Sequence, residues 1–325
     1  MRALLAVNGA VRHGWTVSEI PDQTGRRALV TGANSGIGFY TALELARKGA
    51  HVLLGARDSA RGETAVARIR REVAGASVEL LLLDLASLEQ VRSVAEAEVA
   101  HGAGLDLLIN NAGVMAPKRR ELTVDGFEMQ FGVNVLGHFV LTALLMPALQ
   151  RAAERSGTDP RVVTVASIAH KTGKIRFDDL QSERRYSGIT AYRQSKLADL
   201  MFALELDRRL RAAGSRVMSV AAHPGVAQTL LFVRTEHTGA ERMVRQGIGV
   251  AIRTFLNSAA DGAVPTLFAA TSPEAESGGY YGPQRFFEMG GGNAGPAIIA
   301  ERARDPAVAA RLWNECERLT GVTIL

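Results

Sequence analysis

An α/β fold, one doubly wound parallel sheet of about seven strands with helices on both faces, is what this 325-residue sequence predicts. Three observations carry it. Short apolar runs alternate with helix-periodic segments, a glycine-rich stretch directly follows the first of those runs, and a 47% hydrophobic composition is enough to bury a sizeable core. Strands that alternate with helices imply right-handed crossovers, and hence parallel neighbours.

The elements follow in order. Residues 27–31, Arg-Ala-Leu-Val-Thr, read as a buried first strand, the glycine-rich loop comes next, and residues 39–48 have helical spacing. The pattern repeats with a strand at 52–54, a charged helix at 60–72, a strand at 78–83, a helix at 88–99 and a strand at 106–110. Residues 131–149 read as a long buried helix, 161–166 as a strand, 192–210 as a helix and 216–221 as a strand. A helix is expected at 259–270, and the glycine- and aromatic-rich residues 278–295 supply the last strand and a loop. No Pro/Gly/Ser-rich linker divides the chain, so residues 26–325 are expected to form a single domain after an N-terminal extension, residues 1–25. Residues 230–256 are expected to be an inserted helical flap.

Composition excludes several classes. The 38 basic and 33 acidic residues give +5, a modest excess whose Arg runs sit on helix-like patterns, so nucleic-acid binding is not indicated. Cys316 is the only cysteine, which rules out an intrachain disulfide framework and fits a reducing cytoplasm. The seven histidines show no ligand-type pairing, and no metal site is expected. The apolar stretches at 3–7 and 139–149 fall short of the roughly 20 residues a spanning helix needs, so the chain is expected to be soluble and cytoplasmic.

Thr31-Gly32-Ala33-Asn34-Ser35-Gly36-Ile37-Gly38 joins the first strand to the first helix. A dinucleotide pyrophosphate can lie there against backbone N–H groups and the positive helix end, where glycine lets the backbone approach. At the end of the second strand, Gly55-Ala56-Arg57-Asp58 has Ala56 where an acid would read the ribose diol, and then Arg57. A guanidinium fork suits a 2′-phosphate, so NADP(H) is favoured over NAD(H), with neighbouring Asp58 as the opposing feature. Farther on, Tyr192-Arg193-Gln194-Ser195-Lys196 sets a phenol and an ammonium four residues apart, on one face if helical. A fixed positive charge stabilises a phenolate, which suits proton exchange with an alcohol or carbonyl oxygen. Taken alone, that spacing also fits a solvated helix face.

In combination these motifs resemble the short-chain dehydrogenase/reductase family, which has a Rossmann-type fold. The resemblance covers residues 26–283 and rests on ordered motifs: the glycine loop, Asp84-Leu85, Asn110-Asn111-Ala112-Gly113, Asn134, Ser167, Tyr192 with Lys196, and Pro224-Gly225. The 24 residues between Ser167 and Tyr192, and the segments around them, resemble the branch of retinol dehydrogenases, the WW-domain oxidoreductase and protochlorophyllide reductases. The resemblance implies that Tyr192 is the general acid or base, that Ser167 hydrogen-bonds the substrate oxygen, and that Lys196 binds the nicotinamide ribose and tunes the phenol. Asn134 would hold a water linking Lys196 to solvent, although a buried amide that packs its helix is the other reading. Gly32, Asn34, Ser35, Gly36, Ile37 and Gly38 would hold the pyrophosphate and Arg57 the 2′-phosphate. Asp84 would contact adenine with Leu85 supplying backbone, or Asp84 caps the next helix; Asn111, Ala112 and Gly113 would lie along the adenosine ribose. Pro224, Gly225, Val226 and Thr229 would meet the carboxamide end.

Selectivity is expected from residues 170–189, 230–256 and 280–287, whose apolar and aromatic content points to an apolar alcohol or carbonyl substrate. The resemblance also implies a homodimer or homotetramer paired through the helices that carry Asn134 and Tyr192. Two other activities stay open: a catalytically silent regulator or scaffold that senses NADP(H), and a reductase of an activated C=C bond.

Overall fold

Leu29, Leu53 and Leu108 face one side of their strands and Val30, Leu54 and Ile109 the other, and all six are buried. A strand whose two alternating faces are both apolar must be covered on both sides. The computed structural model, which describes residues 14–155, 157, 159–226 and 257–325, meets that demand with one sheet between two helical layers.

The strands are β1 (Arg27–Thr31), β2 (His51–Ala56), β3 (Val78–Leu82), β4 (Leu107–Asn110), β5 (Arg161–Val165), β6 (Met218–Ala222), β7 (Tyr280–Arg285) and β8 (Gly290–Pro296). They lie in the order β3-β2-β1-β4-β5-β6-β7-β8, parallel throughout except for β7 with β8. One core layer includes residues of α1 (Gly36–Arg47), α2 (Ser59–Glu72) and α6 (Ala259–Thr271). The opposite layer includes α3 (Leu88–Ala100), α4 (His138–Arg155), α5 (Gly188–Ala212) and α7 (Pro306–Thr320). The chain runs outward from β1 to β3 and then returns to place β4 on the other side of β1. That reversal opens a crevice at the carboxyl ends of β1 and β4, which is where ligands bind in sheets of this kind.

Two elements are additional to the expectation. The sheet has eight strands, not about seven, because residues 278–295 supply two. β8, Gly-Gly-Gly-Asn-Ala-Gly-Pro, carries almost no side chains with strand preference, and its place is set by β7 on one side and a bridge from Trp15 to Ala294 on the other. The second is α7, which was not expected. Asp305 caps its start by accepting from Ala307 and Val308 N–H, Pro306 opens it, and Gly321 in the left-handed region closes it. Trp313 of α7 stacks on Phe202 and meets Phe139 edge-on at 5.2 Å, with the Arg209 guanidinium 4.4 Å from its ring centre. Thus α7 covers part of α4 and α5.

The long helix around residues 131–149 is longer than expected and is wound in two ways. Phe131–Gly137 is π-helical and runs directly into α4. At 25 residues, Phe131–Arg155 is long and apolar enough to cross a membrane by composition, yet 89% of its apolar window is buried inside the protein core. The flap expected at 230–256 lies outside the described residues.

Candidate active site

The loop after β1 turns twice through positive φ, at Gly32 (φ 65°) and Gly36 (φ 59°), where side chains with a Cβ are strained. Ser35 is the N-cap of α1, but its side chain makes no capping hydrogen bond, so the first-turn N–H groups face the crevice without a side-chain partner. The crevice itself is a cleft of about 670 Å³. Along it lie Gly32, Asn34, Ser35, Gly36, Ile37 and Gly38, then Arg57, Asp84 and Leu85, then Asn111, Ala112 and Gly113, and finally Tyr192, Lys196 and Pro224. These expected residues come from six separate stretches of sequence.

One hydroxyl organises the edge. Thr31 Oγ1 accepts from Asn111 N–H and Ala112 N–H, both at 2.9 Å, and lies 2.9 Å from His138 Nε2. The Asn134 carbonyl can only accept, so the proton of the neutral ring sits on Nδ1, which donates to it at 2.9 Å, and Nε2 accepts from the Thr31 hydroxyl, whose other acceptor is Ile109 O at 3.3 Å. Burial, against that carbonyl and with the repulsion of Lys196, pulls the His138 ring down to about 4, so it is neutral at working pH. Asn111 Nδ2 also donates to Thr31 O at 2.7 Å. The strand end and the Asn111-Ala112-Gly113 segment are therefore locked together.

Asn134 sits inside the π-helical stretch. Its Oδ1 accepts from Val114 N–H at 2.8 Å, and its Nδ2 donates to Val114 O and to Ser195 Oγ. The side chain is thus used to tie the β4 loop to α5, which is the packing reading of this residue. Ser167 Oγ accepts from Ala169 N–H at 3.2 Å and caps a short 3-10 turn, leaving its own proton to donate. Asn134, Ser167, Gly225 and Val226 do not line the cleft, and Thr229 lies outside the described residues.

Asp84 does not cap α3. Ser87 does, while Asp84 Oδ1 accepts from Ala86 N–H and Asp84 borders the cleft. Asp58, the opposing feature beside Arg57, accepts from Arg61 N–H at 3.0 Å as the N-cap of α2. Asp58 also lines the cleft with its Oδ2 3.8 Å from Arg61 Nε, and the guanidinium side chains of Arg57 and the unexpected Arg61 border the same cleft. Arg61 stands in the first turn of α2, three residues past the cap Asp58, and no motif in the sequence marked it.

At the other end, Lys196 Nζ donates to Val165 O and to Asp199 Oδ2, each at 2.8 Å. Lys196 and Asp199 are both buried. A Cβ placed on Gly113 would stand 3.7 Å from Lys196 Nζ and 3.5 Å from Asn134 Oδ1, so glycine leaves the cleft floor open beside the ammonium. Glycine at 32, 38 and 113, the uncapped start of α1 and the paired arginines together fit a dinucleotide.

Of the segments expected to set selectivity, His170 and Tyr280 are buried against each other, with ring centres 5.3 Å apart. His170 is bonded to Ser167 O and Ala300 N–H. Ile189, Phe286 and Phe287 are exposed, and Met289, beside Phe287, bonds through its carbonyl to Val226 N–H next to the cleft.

Burial, against the Ser167 carbonyl, holds His170 down at about 4, like His138, whereas an unfolded histidine titrates near 6.5. A folded state with both rings neutral binds fewer protons than the unfolded chain, so their contribution is full above about 6.5 and is lost as pH falls toward 4. Asp199, pushed up to about 6 by burial, works in the opposite direction and offsets part of the loss. The urea midpoint at pH 4.5 is expected to lie below that at pH 7.5 by a stability difference of roughly 2 kcal/mol. An unchanged midpoint would contradict neutral burial of the two rings.

Comparison with known proteins matches the short chain dehydrogenase family over residues 26–239. The chain is 44% identical to polyprenol dehydrogenase of Mus musculus, over 93% of this chain and 86% of that one. It is 42% identical to human retinol dehydrogenase 13, over 92% and 85% respectively. A crystal structure of an uncharacterised protein from Mycobacterium paratuberculosis, 41% identical, covers 96% of this chain and 99% of that chain with a TM-score of 0.77. Another, described as an NAD(P) dependent gluconate 5-dehydrogenase from Beutenbergia cavernae with NADP bound at low occupancy, is 29% identical over 80% and 95%, with a TM-score of 0.59.

Proposed function

The chain belongs to the short-chain dehydrogenase/reductase family, in its retinol dehydrogenase-like branch, and is an oxidoreductase; from that premise we propose that it interconverts a hydroxyl and a carbonyl on an apolar small molecule with NADP(H). The observation that carries this reading is the presence of Tyr192 and Lys196 in the same cleft as the glycine loop. The candidate proton-transfer pair and the glycine loop that would cradle phosphate border one groove.

A bound nicotinamide supplies hydride to a carbonyl carbon or takes it from an alcohol. Tyr192 gives the carbonyl oxygen its proton in reduction and removes it in oxidation. Ser167, which directly follows Ala166 of the cleft wall and has its hydroxyl proton available, would donate to the same oxygen and orient it. Lys196 engages a ribose hydroxyl with the one ammonium hydrogen that Val165 O and Asp199 do not occupy. Asn134 keeps the Val114 segment and Ser195 in register through its side chain, and its main-chain carbonyl holds the His138 ring. The exposed Ile189, Phe286 and Phe287 support an apolar substrate, as do the polyprenol and retinol in the names of the relatives.

Retinal, a long-chain isoprenoid aldehyde and short aldehydes, each offered with NADPH and with NADH, test the reading. Formation of the alcohol, fastest on the long apolar aldehydes with NADPH, is the expected result. A saturated carbonyl product would mean C=C reduction, and no turnover together with a partner bound in only one redox form would mean a sensor. Cofactor choice has its own check. Arg57→Ala is expected to weaken NADPH binding roughly tenfold or more, through loss of a charge-assisted contact, and to leave NADH nearly unchanged. Equal effects on both would remove Arg57 from the 2′-phosphate site.

A further inference from the structure

Lys196 is an ammonium group in a buried place. Taking such a charge out of water favours the neutral amine unless a partner compensates. Its two bonded partners are unequal: Val165 O is a neutral dipole, whereas Asp199 Oδ2, one turn along α5, carries the charge. Among the described residues no other carboxylate lies within ion-pair distance of Lys196. Other titratable groups around the pair offer no substitute. Tyr192 lies on the same helix, neutral His138 faces Lys196 from α4, and the buried thiol of Cys316 faces Asp199 from α7.

We propose that Asp199 is a positioning residue of the proton-transfer site: its carboxylate keeps the Lys196 ammonium charged and fixes it beneath Gly113 and Val165. The proposal rests on the reading of Tyr192 and Lys196 as the proton-transfer pair. It assigns the buried carboxylate a task that packing alone does not require. Two ammonium hydrogens are held by Val165 O and Asp199, so the third has a defined direction, and a flexible four-carbon stem is ordered before any ligand binds.

Burial by itself would draw the Lys196 ammonium down, and the charge of Asp199, together with Tyr192, lifts it above its ordinary value instead. With Asp199→Asn the shape and one hydrogen-bond acceptor remain and the charge is gone. Burial then dominates, and Lys196 should lose its proton roughly two pH units earlier than in the unaltered protein.

The experiment is a carbon-13 NMR titration of the lysine Cε resonances in the cofactor-free full chain, with the Lys196 signal assigned by its loss in Lys196→Arg. Asp199→Asn is expected to move that midpoint down by roughly two units, and the alkaline limb of NADPH-dependent turnover to move with it. Asp199→Glu, which keeps the charge, should restore most of the difference. In the unaltered protein the Lys196 resonance should also step near pH 6, where Asp199 takes up its proton, and this measurement needs no variant to fold. An unmoved Lys196 midpoint in Asp199→Asn, or a Lys196 resonance that does not respond anywhere on the acid side as Asp199 takes up its proton, overturns the proposal. Failure of the underlying reading looks different: Tyr192→Phe would turn over substrate like the unaltered protein, whatever Asp199 does.

Discussion

Tyr192→Phe is expected to lower turnover by on the order of 10³-fold while leaving NADPH affinity within about twofold. The side chain is half-buried, and among the described residues nothing hydrogen-bonds its hydroxyl, so removing one oxygen breaks no structural contact. Its melting temperature should therefore match that of the unaltered protein. What is lost is the proton that must reach the substrate oxygen as hydride reaches carbon. Because that transfer belongs to the transition state, kcat and kcat/KM should fall together and KM should stay near its starting value. Stopped-flow single turnovers with NADPH and the best aldehyde separate the chemical step from product release. Equal single-turnover rates would take the general-acid role from Tyr192. A loss of NADPH binding of similar size would make the residue part of the cofactor site alone.

The strand–loop–helix unit at residues 27–47 was legible because three signals coincide there: an apolar run, glycines where the backbone must turn, and helical spacing after them. Where such signals are missing, so was the element. β8 is mostly glycine and owes its place to β7 and Trp15, which no local pattern announces. α7 is a different case. Its cap, its opening proline and its closing glycine were all written in residues 305–321, and its apolar face matches α5.

At the site, ordered motifs gave the lining residues but not the groups behind them. Asp199 stands in Leu197-Ala198-Asp199-Leu200-Met201, a lone charge in an apolar run, and His138 stands the same way between Gly137 and Phe139. A single polar residue on a buried stretch calls for a buried partner. Which partner depends on where distant strands end, as Thr31 and Asn134 do for His138. Asn134 shows the converse: its motif was recognised, while the use of its side chain came from the positions of Val114 and Ser195.

Gly38→Ala is expected to reduce NADPH affinity by roughly 100-fold or more, the outcome of two opposed effects of one methyl group. Within α1, alanine favours the helix over glycine by about 1 kcal/mol. Against this, the new Cβ would stand 2.6 Å from Gly32 O and 3.0 Å from Ala33 Cα, and closer still to Asn111 Nδ2. Overpacking of that kind typically costs about 1–3 kcal/mol, and here two of the obstructing atoms are main chain that cannot swing aside. Relief has to come from the loop between β1 and α1 and from Asn111, whose Nδ2 would leave Thr31 O. Those are the atoms that shape the phosphate cradle and the adjoining cleft edge. The global stability should change little, since helix preference offsets part of the strain, while the cradle loses its form. Thermal melts and NADPH fluorescence titrations on the same samples separate the two quantities. A melting temperature and an affinity both close to those of the unaltered protein would show that the loop has room for the methyl group, and that the close approach of Gly38 to Gly32 is not what binding requires.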